Sequence, residues 1–267
     1  MLDGIKAAAE AEKPGSIIIG EVWEDASNKI AYGKRRRYFT LRQLDSVMNY
    51  PLKNAVIKYV TEGNSEEFSR VFTLIQRHYP DRTLPYLMNF LGTHDTERIL
   101  TVLGGDPDTG LPGSALVNKK MSKQQYVTAK KRFYLAFSLL CFCPGIVSVY
   151  YGDEAGMQGY HDPFNRMPYP WGREDKAVRN KVKKLLHERK KYKGKAEIVL
   201  CEKGLLVIKR GDRLYISNAS NDTVTLAVGE GYDTKSDDRS VTLSPVSYVI
   251  LKRNDKKRSA DRGGIKS

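Results

Sequence analysis

The sequence predicts an α/β fold in which a parallel sheet is covered by helices and followed by a small antiparallel β domain. Three observations lead there. Four short apolar runs rich in β-branched and aromatic residues, at 16–23, 44–50, 84–91 and 146–151, alternate with helical patterns. Near-continuous apolar runs of this kind suit strands buried on both faces. From about Ala196 the texture changes to closely spaced strands separated by turn signals. Finally, 267 residues, 40% of them hydrophobic, are enough to bury a sizeable core.

Taken in order, the first ten residues lack the basic-then-apolar layout of a signal peptide and read as a helix entered partway. The missing signal favours the cytoplasm. After the first two apolar runs, 65–78 places Phe68, Val71, Phe72 and Ile75 on one helical face. Ser122 with Gln125 has the spacing of a capping box and opens a helix to about Phe142. The uncharged stretch 133–151 has the length of a membrane span, but Pro144-Gly145 cuts it into a buried helix and a buried strand. No membrane partner is expected. Val178, Val182, Leu185 and Leu186 share the face of one more helix. Strands follow at 198–201, 205–209, 214–218, 223–228 and 246–252, the first three separated at hairpin distance by Lys203-Gly204 and Gly211-Asp212. Beyond Arg253 the chain is polar and basic, and disorder is expected there.

Charge and cysteine usage narrow the function classes. The net charge of +14 owes +5 to residues 252–267 alone. A basic chain can bind nucleic acid, yet no zinc-finger spacing, aromatic RNA-binding pattern or glycine-rich phosphate loop accompanies the charge. No nucleic-acid partner is expected. Cys141, Cys143 and Cys201 are too few and too odd in number for a disulfide framework, and Cys-x-Cys is not a zinc-knuckle spacing. They read as apolar fillers. His78 and His187 fall late on predicted helices, where a cation suits the carbonyl ends, and a hydrogen bond within its loop accounts for His161.

In a parallel α/β architecture the working side chains sit where strands end. Here those ends are acidic. The first run closes in Gly20-Glu21-Val22-Trp23, the third in His94-Asp95-Thr96-Glu97-Arg98, and the fourth in Tyr151-Gly152-Asp153-Glu154. Carboxylates converging beside Trp, Tyr and His suit sugar chemistry, since a neutral acid protonates the leaving oxygen while ionised ones stabilise an oxocarbenium-like state. By position alone each acid serves equally well as a helix N-cap or a loop ion pair.

The wording of the motifs is more specific. Ile-Ile-Gly-Glu-Val-Trp-Glu-Asp-Ala-Ser (18–27), Leu-Asp-Ser-Val-Met-Asn-Tyr-Pro (44–51), Asn-Phe-Leu-Gly-Thr-His-Asp-Thr-Glu-Arg-Ile (89–99) and Tyr-Tyr-Gly-Asp-Glu (150–154), in that order, closely resemble the α-amylase family of glycoside hydrolases. Asp-Pro-Phe-Asn-Arg-Met-Pro-Tyr-Pro-Trp (162–171) resembles its neopullulanase, cyclomaltodextrinase and maltogenic amylase branch. The resemblance implies the C-terminal half, strands five to eight, of a (β/α)8 TIM barrel in residues 1–192. A small antiparallel β-sandwich in 193–252 and a basic tail in 253–267 follow.

The resemblance also implies roles. Glu21 matches the general acid/base, whose raised pKa would come from partial burial near Trp23. Asp95 matches the acid that tightens on substrate hydroxyls in the transition state, with His94 donating to the same sugar. Asp162 and Arg166 match a pair holding the non-reducing-side glucose, Trp23 an aromatic platform on the leaving-group side, and Arg98, within the Asp95 motif, either a further substrate contact or the partner of an acid. Asp153 and Glu154 belong to structure, shaping the loop after the last barrel strand. The implied substrates are α-1,4-glucans or cyclodextrins, with α-1,6 branches as a further possibility. No cofactor is implied, and calcium stays open because the family's ligands lie partly outside this sequence.

A retaining glycosidase needs a second carboxylate about 5 to 5.5 Å from the acid. In this family that nucleophile is an Asp on the fourth strand, two residues after an Arg, and no such motif precedes Glu21; Asp3 reads as part of a helix. The expectation is therefore a C-terminal portion, inactive alone, with open sheet edges that associate with a complementary N-terminal barrel fragment. A non-catalytic carbohydrate-binding or interaction fragment is the alternative reading.

Overall fold

Four short parallel strands form the spine of the first part of the chain in a computed structural model that describes residues 1–229, 231–234 and 239–254. They are β1 (Ile19–Gly20), β2 (Ser46–Val47), β3 (Met88–Asn89) and β4 (Ile146–Val147). β1 pairs with β2 and β3 with β4, and a parallel bridge from Met48 to Met88 joins the two pairs into one run. Asn49 and Asn89 reinforce the junction, because the Asn49 amide donates to Asn89 Oδ1 at 2.9 Å and the Asn89 amide donates to the Pro144 carbonyl at 2.7 Å.

The strands are shorter than the apolar runs that predict them. Pro85 sits in the first turn of a 3-10 helix at Leu84–Tyr86, where its missing N–H costs nothing, so the third run reaches extended pairing only at Met88. The second run ends early because Tyr50 opens α2 (Tyr50–Glu62).

Helices surround this spine. α1 (Leu2–Glu12) buries none of its residues. α2 is capped by Asn49, whose side chain accepts from the Leu52 N–H, and stops at Gly63 with φ 70°. α3 (Ser65–His78) buries Phe68, Phe72 and Ile75 on the face that the periodicity predicts. α4 (Ile99–Gly104) follows β3. α5 (Lys123–Phe142) carries the reciprocal Ser122–Gln125 capping box and is buried almost continuously from Phe133 to Phe142. It packs against α2, α4 and α6 (Lys176–Arg189). At its C-terminal end the orphan carbonyls are collected by two arginines: Arg189 donates to Cys141 O and Gly145 O, and Arg210 to Phe142 O.

The C-terminal strands are β5 (Ala196–Glu202), β6 (Leu205–Arg210), β7 (Arg213–Asn218), β8 (Val224–Ala227), β9 (Ser240–Leu243) and β10 (Ser247–Lys252). An antiparallel sheet runs in the order β10-β7-β6-β5, and β8 and β9 form a separate hairpin. Period-two alternation divides the sheet. Leu206, Ile208 and Tyr215 join the core under the helices, whereas Leu205, Val207 and Ile216 join a second cluster with Val228 and Leu243 of the hairpin region. Tyr59 of α2 joins helices to sheet, its hydroxyl lying 3.0 Å from Gly204 O and 2.7 Å from Ser217 Oγ. No helix among the described residues is long and apolar enough to cross a membrane. The tail expected to be disordered lies, from residue 255 onward, outside the described residues.

Candidate active site

Because β1 to β4 are parallel, the residues that follow each strand gather at one end of the run. Glu21 follows β1, Tyr50 follows β2, His94 and Asp95 follow β3, and Tyr150 to Asp153 follow β4.

Glu21 shares one carboxylate oxygen between two donors, the Trp23 indole Nε1 and the Tyr50 hydroxyl, each at 3.2 Å. The Trp23 ring stacks on Tyr50 with centroids 4.4 Å apart at 14°, and Tyr50 meets Phe90 edge-on. The Glu21 side chain is exposed, and Trp23 keeps 50% of its surface in solvent. The partial burial expected to tune Glu21 is therefore not provided by these neighbours. One oxygen is oriented and the carboxyl stays open.

Tyr50 is the residue that the motif reading left without a role. It is buried, and burial pushes its hydroxyl up to about 12, with the charges of Glu21 and Asp95 adding to the effect and Thr93 opposing it. It is thus a protonated donor at neutral pH, bonded to Glu21 and within electrostatic reach of Asp95. An aromatic residue closing an apolar run, directly before a proline, is the signal in the sequence that marks it.

Asp95 lies among cationic and imidazole groups. His94 Nε2 is 3.3 Å from its Oδ2, and Arg166 Nη2 is 3.4 Å from its Oδ1. Arg166 turns its Nε to Asp162 at 2.6 Å, so one guanidinium links the two acids. Asn165 fixes this loop. It is fully buried, and its amide donates to the carbonyls of His94 at 2.7 Å and Thr96 at 2.8 Å.

Arg98, which the motif offers either as a substrate contact or as the partner of an acid, lies buried against an acid. Its side chain has no exposed surface, and it donates to Asn165 O at 2.7 Å, to Tyr151 O and to Asp153 Oδ1 at 3.2 Å. The rings of Tyr150 and Tyr151 flank its guanidinium. Burial pushes the Asp153 carboxyl up to about 7, against the pull of Arg98. Gly92 leaves room for this pair, since a Cβ there would lie 2.8 Å from Asp153 Oδ2. Glu154 accepts from the Gly152 N–H and turns its own loop.

The other conspicuous groups lie apart. His78 pairs with Asp25 at 2.7 Å, and His161 reaches beyond its own loop to Asp108 at 2.6 Å. Cys141 and Cys143 are buried fillers, their thiols pushed up to about 12 by desolvation. A cavity of about 560 Å³ lined by Phe72, Leu87, Pro144 and Arg189 opens at the opposite ends of the strands, away from Glu21 and Asp95. The carboxylate cluster, with its aromatic and cationic neighbours, is the arrangement suited to chemistry.

Comparison with known proteins agrees with the motif order. The model of the α-amylase catalytic domain matches residues 1–202. An amylopullulanase from Thermoanaerobacter thermohydrosulfuricus is 34% identical over 197 residues, covering 69% of this chain and 12% of the relative. A cyclomaltodextrinase from Geobacillus thermopakistaniensis is 29% identical over 273 residues, covering 92% of this chain and 41% of the relative. The chain thus spans less than half the length of either. Among solved structures, the type III pullulan hydrolase from Thermococcus kodakarensis shares the fold with a TM-score of 0.76 at 22% identity, over 94% of this chain and 42% of that one. An Anoxybacillus α-amylase does so with a TM-score of 0.74 at 22% identity, over 95% of this chain and 56% of that one. With motifs, site geometry and family match in agreement, the chain belongs to the α-amylase catalytic-domain family.

Proposed function

We propose that this chain supplies the acid/base half of a retaining glycosidase site for α-1,4-glucans or cyclodextrins, built on strands five to eight of a (β/α)8 barrel. The observation that carries the reading is the placing of Glu21 and Asp95 at one end of the parallel strands, with the Tyr50 hydroxyl bonded to Glu21 and within electrostatic reach of Asp95. Glu21 protonates the glycosidic oxygen and later activates water. Asp95 tightens on ring hydroxyls as positive charge develops, His94 donates to the same sugar, and Asp162 with Arg166 holds the neighbouring glucose. Trp23 offers its free face to the leaving-group sugar. Residues 1–192 form the barrel portion in this reading, and 193–252 a separate β domain.

The nucleophile belongs to strands one to four. Open edges support a partner segment there, in the same polypeptide or another: Ile17 and Ile19 beside β1, and Ile146 of β4, are 44%, 38% and 40% exposed. Closing the strand run in this reading also shields the exposed Glu21 side chain from solvent.

Release of reducing sugar from maltotriose, cyclodextrin and pullulan by this chain and by its Glu21→Gln variant tests the assignment. The two proteins are expected to be equally inactive. Turnover that Glu21→Gln abolishes would show that a carboxylate within this chain acts as nucleophile, and would overturn the half-site reading.

A further inference from the structure

We propose that Glu97, Asp108 and His161 bind a divalent transition-metal ion of the zinc class, which ties the segment after α4 to the loop that carries Asp162 and Arg166. One ligand atom from each residue lies within 4.8 Å of the others, within reach of a single ion by side-chain rotation. His161 Nδ1 is already 2.6 Å from Asp108 Oδ2.

The charge balance favours a cation. Two carboxylates face one imidazole, and the half-buried Glu97 carboxylate has no hydrogen-bond or ion-pair partner among the described residues. The Glu97 and Asp108 carboxylates lie close enough to repel each other, with His161 as the group beside them that offers a positive counterpart. A bound ion removes that repulsion.

The scaffold holds the three donors in place through bonds made elsewhere. The Arg98 N–H donates to Gly159 O at 2.9 Å, and the Gly159 N–H donates to Thr101 Oγ1 at 2.9 Å, which fixes the Glu97 and His161 segments against each other. The Tyr160 hydroxyl donates to Asp106 O at 3.2 Å and the Gln125 amide to Asp106 Oδ1 at 2.7 Å, anchoring the third segment. Asp108 Oδ1 accepts the Gly110 N–H at 3.1 Å, which leaves Oδ2 for His161. The His161 ring rests edge-on against Phe164.

The donor set selects the metal. One imidazole nitrogen with two carboxylate oxygens suits Zn²⁺, Mn²⁺, Co²⁺ or Fe²⁺, whereas Ca²⁺ and Mg²⁺ prefer oxygen alone.

The test uses the chain without a polyhistidine tag, freed of metal by chelation and titrated calorimetrically with Zn²⁺, with Co²⁺ as an absorbing substitute. One ion per chain is expected to bind with Kd in the micromolar range or below, and to raise Tm by several degrees at about a hundredfold excess over Kd. Co²⁺ gives a visible absorption band, and Ca²⁺ leaves Tm unmoved. His161→Asn and Glu97→Gln each weaken binding at least tenfold and remove the Tm rise. Absence of saturable Zn²⁺ binding overturns the proposal, as do binding and a Tm rise that persist unchanged in both variants. None of these readouts depends on sugar chemistry, so the metal site and the glycosidase reading fail separately.

Discussion

Arg98 and Asp153 form a pair 3.2 Å apart beneath the loop that carries His94 and Asp95, and neither reaches the surface. The arginine organises three backbone segments, while the acid bears the cost of burial. Since the folded-state pKa of Asp153 is raised to about 7 from an ordinary 3.8, the folded chain binds a proton there that the unfolded chain has released. Stability from this group is full below pH 4 and is lost as pH rises to about 7, by up to about 1.4 kcal/mol for each unit of pH. Asp153→Asn lacks that slope. Urea unfolding between pH 4 and 8 is therefore expected to shift the stability difference in the variant's favour as pH rises, and a difference independent of pH would contradict this assignment.

Among the elements, α2 shows how helix and sheet depend on one another. The Tyr59 hydroxyl lies within hydrogen-bond distance of Gly204 O and of both oxygens of Ser217, so Tyr59→Phe removes a shared donor there while the Ala219 N–H still reaches Gly204 O. A loss of about 0.5 to 1.5 kcal/mol is expected in denaturant unfolding, with the helical part and the C-terminal sheet melting in one transition. Separate transitions by far-UV and tyrosine signals would contradict that coupling. The same helix marks what the sequence leaves hard to read. The amphipathic face of α3 and the Ser122–Gln125 cap of α5 are local signals, and both elements form where those signals lie. The signals for α2, Asn49 before it, Pro51 in its first turn and Gly63 after it, are just as local, yet the apolar run through Tyr50 reads as a strand and masks them. β9 is four residues of Ser-Val-Thr-Leu, and it exists because β8 pairs with it, which no local pattern states.

At the scale of the whole molecule, the parallel run has two unpaired edges among the described residues, and its carboxylates stand at one open end. The acids of the candidate site were legible because they close apolar runs, as Glu21 and Asp95 do. Their connections were not. Tyr50 bonded to Glu21, Asn165 clasping two carbonyls and Arg98 buried beneath them are decided by contacts between loops far apart in sequence. Complementation tests the central claim most directly. The chain would be co-refolded with the part of the Geobacillus cyclomaltodextrinase that precedes the segment matching this chain, and reducing-sugar release from cyclodextrin measured. Turnover that appears only in the mixture and disappears with Glu21→Gln is predicted, whereas a stoichiometric complex that releases no sugar would contradict the claim that this face is half of a glycosidase site.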